Sequence, residues 1–172
     1  PYGVAKSAAF LLTKNYREIY DLFVCSGILF NHESPLRPEN FVTKKIIRAA
    51  VEIYFGKKSK LILGDLSIKR DWGWAPEYVE AMHLIVRNKK STDFVIASGK
   101  SYTLEKFIEL TFNYFGMDWK KYTKTTTSNK RPLELIKSKG DGQKAEKILN
   151  WKPTYSLKKI VHEMIEDKLN TK

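Results

Sequence analysis

Tyr2 and Lys6 have the types and the spacing to move a proton. Four residues apart on a helix, their side chains share one face. A lysine ammonium beside a phenol stabilises the phenolate, and a tyrosinate can take the proton of a sugar hydroxyl while a nicotinamide accepts the hydride. Tyr-x-x-x-Lys is a short pattern, and on its own a helix with an incidental Tyr and Lys is the preferred explanation. Other reactive types are sparse. Cys25 is the single cysteine, so no intrachain disulfide can form; a core position and a reducing cytosol fit it. Asn31-His32-Glu33 lacks metal-ligand spacing, and no metal is expected.

Alternating helices and strands must position these residues. Ala5, Ala8, Ala9, Leu12, Tyr16 and Ile19 recur near helical spacing and predict a helix from Tyr2 to Tyr20, broken at Asp21. Leu22 to Phe30 is almost wholly apolar and reads as a strand buried on both faces, as in a parallel sheet. Asn31 to Asn40, polar with two prolines, reads as a loop. A helix follows over Phe41 to Phe55, with Val42, Ile46, Ala49, Ala50 and Ile53 on one stripe and Gly56 at its end. Leu61-Ile62-Leu63 is a brief strand before Gly64, then a loop runs to Trp74, and Pro76 opens a helix to about Val86. Asp93 to Ala97 is a second buried strand. Thr103, Asp141 and Ser156 are expected to cap helices, the first closed by Gly116. Met117 to Gly140 has little helical pattern. Two buried strands are too few for a free-standing doubly wound sheet, so the order implies partner strands upstream.

The 172 residues suffice for one ordinary domain, and 42% hydrophobic content argues against disorder. No apolar run approaches a membrane span, and no secretory signal pattern is present. The net charge is +12, carried by 25 lysines and 6 arginines spread along the chain. Nucleic-acid sites favour the bidentate arginine fork, so a solvated lysine-rich surface is the preferred reading, with no nucleic-acid or membrane partner. Positive charge also suits an anionic nucleotide ligand.

The surroundings of Tyr2 and Lys6 are more specific. Pro1-Tyr2-Gly3-Val4-Ala5-Lys6-Ser7 resembles the catalytic helix of extended short-chain dehydrogenases/reductases. The stretch from Gly27 to Pro35, ending Asn31-His32-Glu33-Ser34-Pro35, is similar to the signature of their GDP-mannose 4,6-dehydratase branch. Phe41-Val42-Thr43-Lys44-Lys45-Ile46, Leu63-Gly64-Asp65, Arg70-Asp71-Trp72-Gly73, Asp93-Phe94-Val95-Ile96-Ala97, Arg131-Pro132 and Leu149-Asn150-Trp151-Lys152-Pro153 follow in that family's order, up to about Met164. The resemblance implies the C-terminal part of a Rossmann-like doubly wound parallel sheet plus a smaller α/β substrate-binding domain. It divides the chain into 1–36 (end of the Rossmann-like domain), 37–75 (substrate-domain segment), 76–100 (return to the sheet) and 101–172 (substrate-binding domain).

The same resemblance implies roles. Tyr2 would be the general base and Lys6 would bind the nicotinamide ribose, so both count as catalytic and cofactor-binding. His32 and Arg37 match cofactor contacts, with NADP suited to a guanidinium. Asn31, Lys45, Arg70, Arg131 and Glu134 match positions that hold GDP-mannose: the cations would offset diphosphate charge, and Asn31 and Glu134 would bond sugar or ribose hydroxyls. Other readings stand beside these. His32 can serve loop backbone groups, Arg70 can pair locally with Asp71, Lys45 can be a solvated helix residue, and Trp72 and Trp74 can simply pack. Trp74 stands where the family usually has His, and Leu36 where a second Arg often precedes Arg37 in a loop linked to subunit contacts. The residues from Met117 to Thr127 do not align, so Arg131 and Glu134 rest on Arg131-Pro132 and the downstream motif.

The implied reaction oxidises C4 of GDP-D-mannose, eliminates water across C5 and C6, and returns the hydride to C6. The product is GDP-4-keto-6-deoxy-D-mannose, on the way to GDP-fucose, in a cytosolic homodimer or homotetramer. The 172 residues contain no Gly-x-x-Gly-x-x-Gly turn to cradle a pyrophosphate, and the family's Ser/Thr acid and Glu base lie upstream of its tyrosine. Pro1-Tyr2-Gly3-Val4 reads as protein interior. The expectation is therefore a C-terminal half that is inactive alone, binds NADP very weakly, and exposes surfaces that an upstream half would cover. Two alternatives remain: a non-catalytic nucleotide-binding module, and another nucleotide-sugar dehydratase or epimerase.

Overall fold

A computed structural model describes residues 1–126 and 135–171. The elements are α1 (Tyr2–Tyr20), β1 (Gly27–Leu29), β2 (Asn31–Glu33), α2 (Val42–Tyr54), β3 (Leu61–Leu63), β4 (Lys69–Trp74), α3 (Ala75–Val86), β5 (Phe94–Ile96), β6 (Ser101–Thr103), α4 (Leu104–Tyr114), α5 (Trp119–Tyr122), β7 (Thr123–Thr125), α6 (Gln143–Leu149) and α7 (Leu157–Asn170). β1 pairs with β5 and β3 with β7, both parallel; β4 lies between β2, parallel, and β6, antiparallel. The architecture is α/β with parallel pairing.

Two clusters hold these layers together. In the larger, Ile46, Ile47 and Ala50 of α2 meet Leu61 and Leu63 of β3, Phe107, Ile108 and Phe112 of α4, Ile160, Met164 and Ile165 of α7, and Trp72 of β4. The smaller joins Tyr78, Ala81 and Ile85 of α3 to Phe94 and Ile96 of β5, Ala145 of α6 and Trp151. Each large side chain buried this way stabilises by about 1.5–3 kcal/mol, so both clusters dominate the fold. α1 contributes to neither, having no buried residue. Its apolar stripe has the helical spacing the sequence predicts, yet Leu12, Tyr16 and Ile19 are exposed.

Capping follows side-chain chemistry. The side chains of Thr103 and Ser156 accept from the backbone N–H of Lys106 and Lys159. Asp141 accepts from Gln143 N, one position further from its helix than expected, because Gly142 occupies the cap. Asp21, Gly56 and Gly116 take positive φ where α1, α2 and α4 end.

Three expectations are corrected. The apolar run Leu22 to Phe30 is not one strand: only Gly27–Leu29 pairs, and Leu22 and Phe23 are exposed. Residues 24–26 are held by side chains instead, with Val24 N on Ser91 Oγ and Ser26 N on Asp93. The segment expected to be a loop from Asn31 begins with β2, and the loop expected before Trp74 contains β4. β2 and the first half of β4 are polar, with side chains on a cavity and a hydrogen-bonded junction, so they lack the apolar pattern of core strands, although Trp72 and Trp74 at the end of β4 enter the core.

That junction centres on Asp71, which is fully buried. It accepts from Ser98 N at 2.8 Å, Gly99 N at 3.0 Å and Gly140 N at 3.1 Å. One carboxylate thereby ties β4 to the β5–β6 turn and to the approach to α6. Gly140 fits because it has no side chain: a Cβ there would lie 2.2 Å from that of Ala97.

Candidate functional site

β2 pairs with β4 so that Asn31 faces Trp72, His32 faces Gly73 and Glu33 faces Trp74. Strand alternation puts Asn31 and Glu33 on one side of β2 and His32 on the other. The first side opens on a cavity of about 670 Å³ lined by Asn31, Glu33, Arg37, Asp65, Arg70 and Trp72, among others. Three sequence-predicted site residues, Asn31, Arg37 and Arg70, therefore line one cavity although Asn31 and Arg70 stand far apart in sequence.

The electrostatics of this cavity centre on Glu33, whose side chain is buried. Its Oε2 accepts from Thr43 Oγ1 at 2.8 Å and lies 3.3 Å from Arg37 Nε, while its Oε1 has no hydrogen-bond partner among the described residues. Burial pushes the carboxyl up to about 7; the Arg37 charge and the Thr43 hydroxyl pull the other way without prevailing. The Arg37 guanidinium also lies over the Phe41 ring, 3.7 Å from its centroid. Arg70 donates from Nη1 to Lys69 O and Leu135 O. The cavity thus presents two guanidinium groups, an amide and a buried carboxyl, a set that suits phosphate and hydroxyl groups.

On the other side of β2, His32 Nδ1 lies 2.8 Å from Phe30 O. A carbonyl only accepts, so Nδ1 carries the proton and Nε2 is left as an acceptor in the neutral ring. The imidazole packs 5.0 Å from the Tyr78 ring. Tyr78 sits against Gly73, where a Cβ would come within 2.3 Å of its ring. His32 thus serves a backbone carbonyl and keeps a second nitrogen for another partner.

Tyr2 and Lys6 lie together on α1, with Lys6 Nζ 5.6 Å from the Tyr2 ring centroid, and neither lines the cavity. Tyr2 is 77% exposed, so its phenol is open to reaction. Lys45 does not line the cavity either; its Nζ donates to Ile62 O at 2.9 Å. Arg131 and Glu134 lie outside the described residues. Among those described, no group of three His, Cys, Asp or Glu side chains is arranged to hold a metal, and no helix is long and apolar enough to cross a membrane.

Sequence reasoning considered Glu33 only as a metal ligand and missed its place in this cavity. Its one sequence signal is the i, i+4 spacing to Arg37. Trp72 and Trp74 pack: Trp72 lies 5.4 Å from Phe107, and Trp74 stacks on Tyr155 at 5.3 Å and 4°. Trp151 and its neighbours form a clasp on α3, with Trp151 Nε1 on Glu77 O and Thr154 Oγ1 on the Glu77 carboxylate.

The family model described as GDP-mannose 4,6 dehydratase matches residues 1–164. GDP-mannose 4,6 dehydratase 2 of Arabidopsis thaliana is 47% identical over 169 residues, covering 98% of this chain and 45% of that protein. The human GDP-mannose 4,6 dehydratase is 41% identical over 182 residues, covering 96% and 49%. The chain spans about half the length of the curated relatives it matches. In fold it is similar to RMD from Pseudomonas aeruginosa complexed with NADPH, at a TM-score of 0.85 and 20% identity over 97% of this chain and 54% of the other. It is also similar to dTDP-glucose 4,6-dehydratase from Bacillus anthracis in complex with NAD, at 0.88 and 18% over 99% and 52%. These likenesses make the α/β fold Rossmann-like. With the family match running over residues 1–164, this chain belongs to the GDP-mannose 4,6-dehydratase family.

Proposed function

We propose that this chain forms the catalytic-helix and substrate-binding part of an enzyme that converts GDP-D-mannose to GDP-4-keto-6-deoxy-D-mannose. The observation that carries the reading is the single cavity on which Asn31, Arg37 and Arg70 converge. Arg70 bears on the diphosphate and Asn31 on a sugar or ribose hydroxyl. Arg131 and Glu134 complete the substrate contacts in this reading, and Lys45 joins them by leaving Ile62 O for the diphosphate.

The side chains on α1 and β2 fit a nicotinamide cofactor. The Tyr2 phenol and the Lys6 ammonium share a helix face, His32 keeps a second ring nitrogen, and Arg37, in the turn after β2, adds a cation on the cavity side of that strand. When bound, NADP in this reading would supply the hydride chemistry, acceptance from C4 of the sugar and return to C6 once water has been lost across C5 and C6. Tyr2 takes the proton of the C4 hydroxyl, and Lys6 holds the nicotinamide ribose. The division into 1–36 and 76–100 on the cofactor side, and 37–75 and 101–172 on the substrate side, draws support from the two clusters, with α6 and Trp151 packed against the former. A cytosolic homodimer or homotetramer completes the proposal.

The test joins this chain behind the N-terminal part of the Arabidopsis relative that it does not match. The fused protein should convert GDP-mannose in the presence of NADP to a product lighter by one water, read by mass spectrometry. The 172-residue chain alone should show no conversion and only very weak NADP binding. A fused protein that folds and binds both nucleotides without turnover would favour the non-catalytic binding module. Turnover of another nucleotide sugar in preference to GDP-mannose would move the substrate assignment within the superfamily.

A further inference from the structure

Glu33 is an unusual neighbour for an anion site. It is fully buried at the wall of the cavity, and among the described residues one carboxylate oxygen has no partner and the only cationic contact is Arg37. The titratable and charged groups on the elements around β2 are engaged elsewhere. From α2, Thr43 donates a hydroxyl, while Lys44 donates to Pro35 O and pairs with Asp167 at 3.9 Å. From β4, Asp71 is saturated by three backbone N–H groups, and Arg70 is turned to Leu135 O. From α3, Tyr78 lies against His32 on the far side of β2, and Glu77 is taken up by Thr154 and Tyr155. Asp65, also on the cavity wall, accepts from Ser67 N.

The charge of Arg37 is therefore shared between Glu33 and whatever enters the cavity. A phosphate that draws the guanidinium to itself leaves Glu33 buried with no counter-charge. An isolated buried carboxylate is strongly disfavoured, and protonation is the cheapest remedy. We propose that Glu33 is a positioning residue that takes a proton from solvent when a phosphate-bearing nucleotide engages Arg37, and so releases Arg37 from its internal ion pair to the ligand. The inference rests on the reading of Arg37 as a nucleotide contact. The ordinary acidity of Glu33 is already displaced upward by burial, so the additional proton is taken up near neutral pH.

Two phosphate sources fit Arg37: the 2′-phosphate of NADP and the diphosphate of a guanine nucleotide. Calorimetric titration of the fused protein with NADP, NAD and GDP, above neutrality and in buffers of different ionisation enthalpy, counts the protons taken up on binding. Uptake with NADP but not NAD assigns the 2′-phosphate; uptake with GDP assigns the diphosphate. Proton exchange by the ligand's own phosphate is common to all variants and cancels on comparison. Uptake should be present in the wild type and absent in Glu33→Gln. Wild-type affinity for that ligand should fall up to tenfold per pH unit above about pH 7, a slope set by one linked proton, and Glu33→Gln should lose it. Arg37→Gln, which removes the cation and keeps the carboxyl, should also abolish the uptake, since Glu33 is then protonated before any ligand arrives. A purely structural Glu33 would leave the proton count unchanged. Equal uptake in wild type and both variants, with binding retained, overturns the inference alone. Failure of all three nucleotides to bind the folded protein overturns it together with the reading of Arg37.

Discussion

Arg17 on α1 grips Asp93 at the approach to β5 with both terminal guanidinium nitrogens, Nη1 and Nη2, across 76 residues of sequence. Its Nε also donates to Val24 O at 2.9 Å. Among the described residues, these are the polar contacts that tie the helix carrying Tyr2 and Lys6 to the rest of the chain, and that helix buries none of its own side chains. Burial alone would raise the Asp93 carboxyl; hydrogen bonds from Arg17 and Ser26 N more than offset it and leave the carboxyl below its usual range.

Arg17→Ala should therefore loosen α1 while leaving the two cores intact. Hydrogen exchange should show lost protection in residues 2–20 and near-normal protection in α2, α4 and α7. The depressed Asp93 value sets the sign with pH: the contact stabilises above the ordinary carboxylate range and is lost as pH falls through the lowered value. Unchanged exchange in α1 would show that other surfaces hold it.

Glu33 has the opposite sign. Its folded value of about 7 lies above its ordinary one, so the native state holds a proton that the unfolded chain has already lost. Stability from this group should be full at low pH and decline as pH rises toward 7, by on the order of 3 kcal/mol in total. Glu33→Gln should flatten this decline in thermal unfolding across that window. A wild-type and variant pair with parallel pH profiles would show that Glu33 titrates normally.

Tyr2→Phe in the fused enzyme should abolish turnover and leave GDP-mannose affinity nearly intact. In the proposed mechanism the phenol acts on a proton in transit and contributes little to the bound ground state. Single-turnover kinetics and direct binding separate the two. Near-normal turnover would remove Tyr2 from the mechanism.

Arg70→Ala should raise KM for GDP-mannose more than it lowers kcat. A lost charge-assisted contact to a diphosphate amounts to about 1.5–3 kcal/mol, or roughly ten- to over a hundredfold in KM. Because Arg70 also bonds Leu135 O, thermal unfolding of the variant must be measured alongside. An unchanged KM in a stable variant would place the diphosphate elsewhere.

The sequence by itself determined the family and every helix but α5, which lies in the stretch after Met117 that showed little helical pattern. The α2, α4 and α7 stripes, the Thr103 and Ser156 caps and the glycines after α2 and α4 are local signals, written in spacing and side-chain type within a few residues. The ordered motifs from Tyr2 to Pro153 are equally local, and they sufficed to name residues for a site. What the tertiary structure decided was where polar segments go. β2 and β4 carry Asn31, His32, Glu33, Lys69, Arg70 and Asp71, types that read as loop because strand propensity reports packing on a core. They are strands because β4 has a partner on each edge and Asp71 has three backbone N–H groups to satisfy it. Glu33 was invisible for a related reason. Its buried state, its unpaired oxygen and its hold on Arg37 arise only when α2 brings Thr43 against β2, and no spacing along the chain encodes the dielectric that a side chain meets after folding.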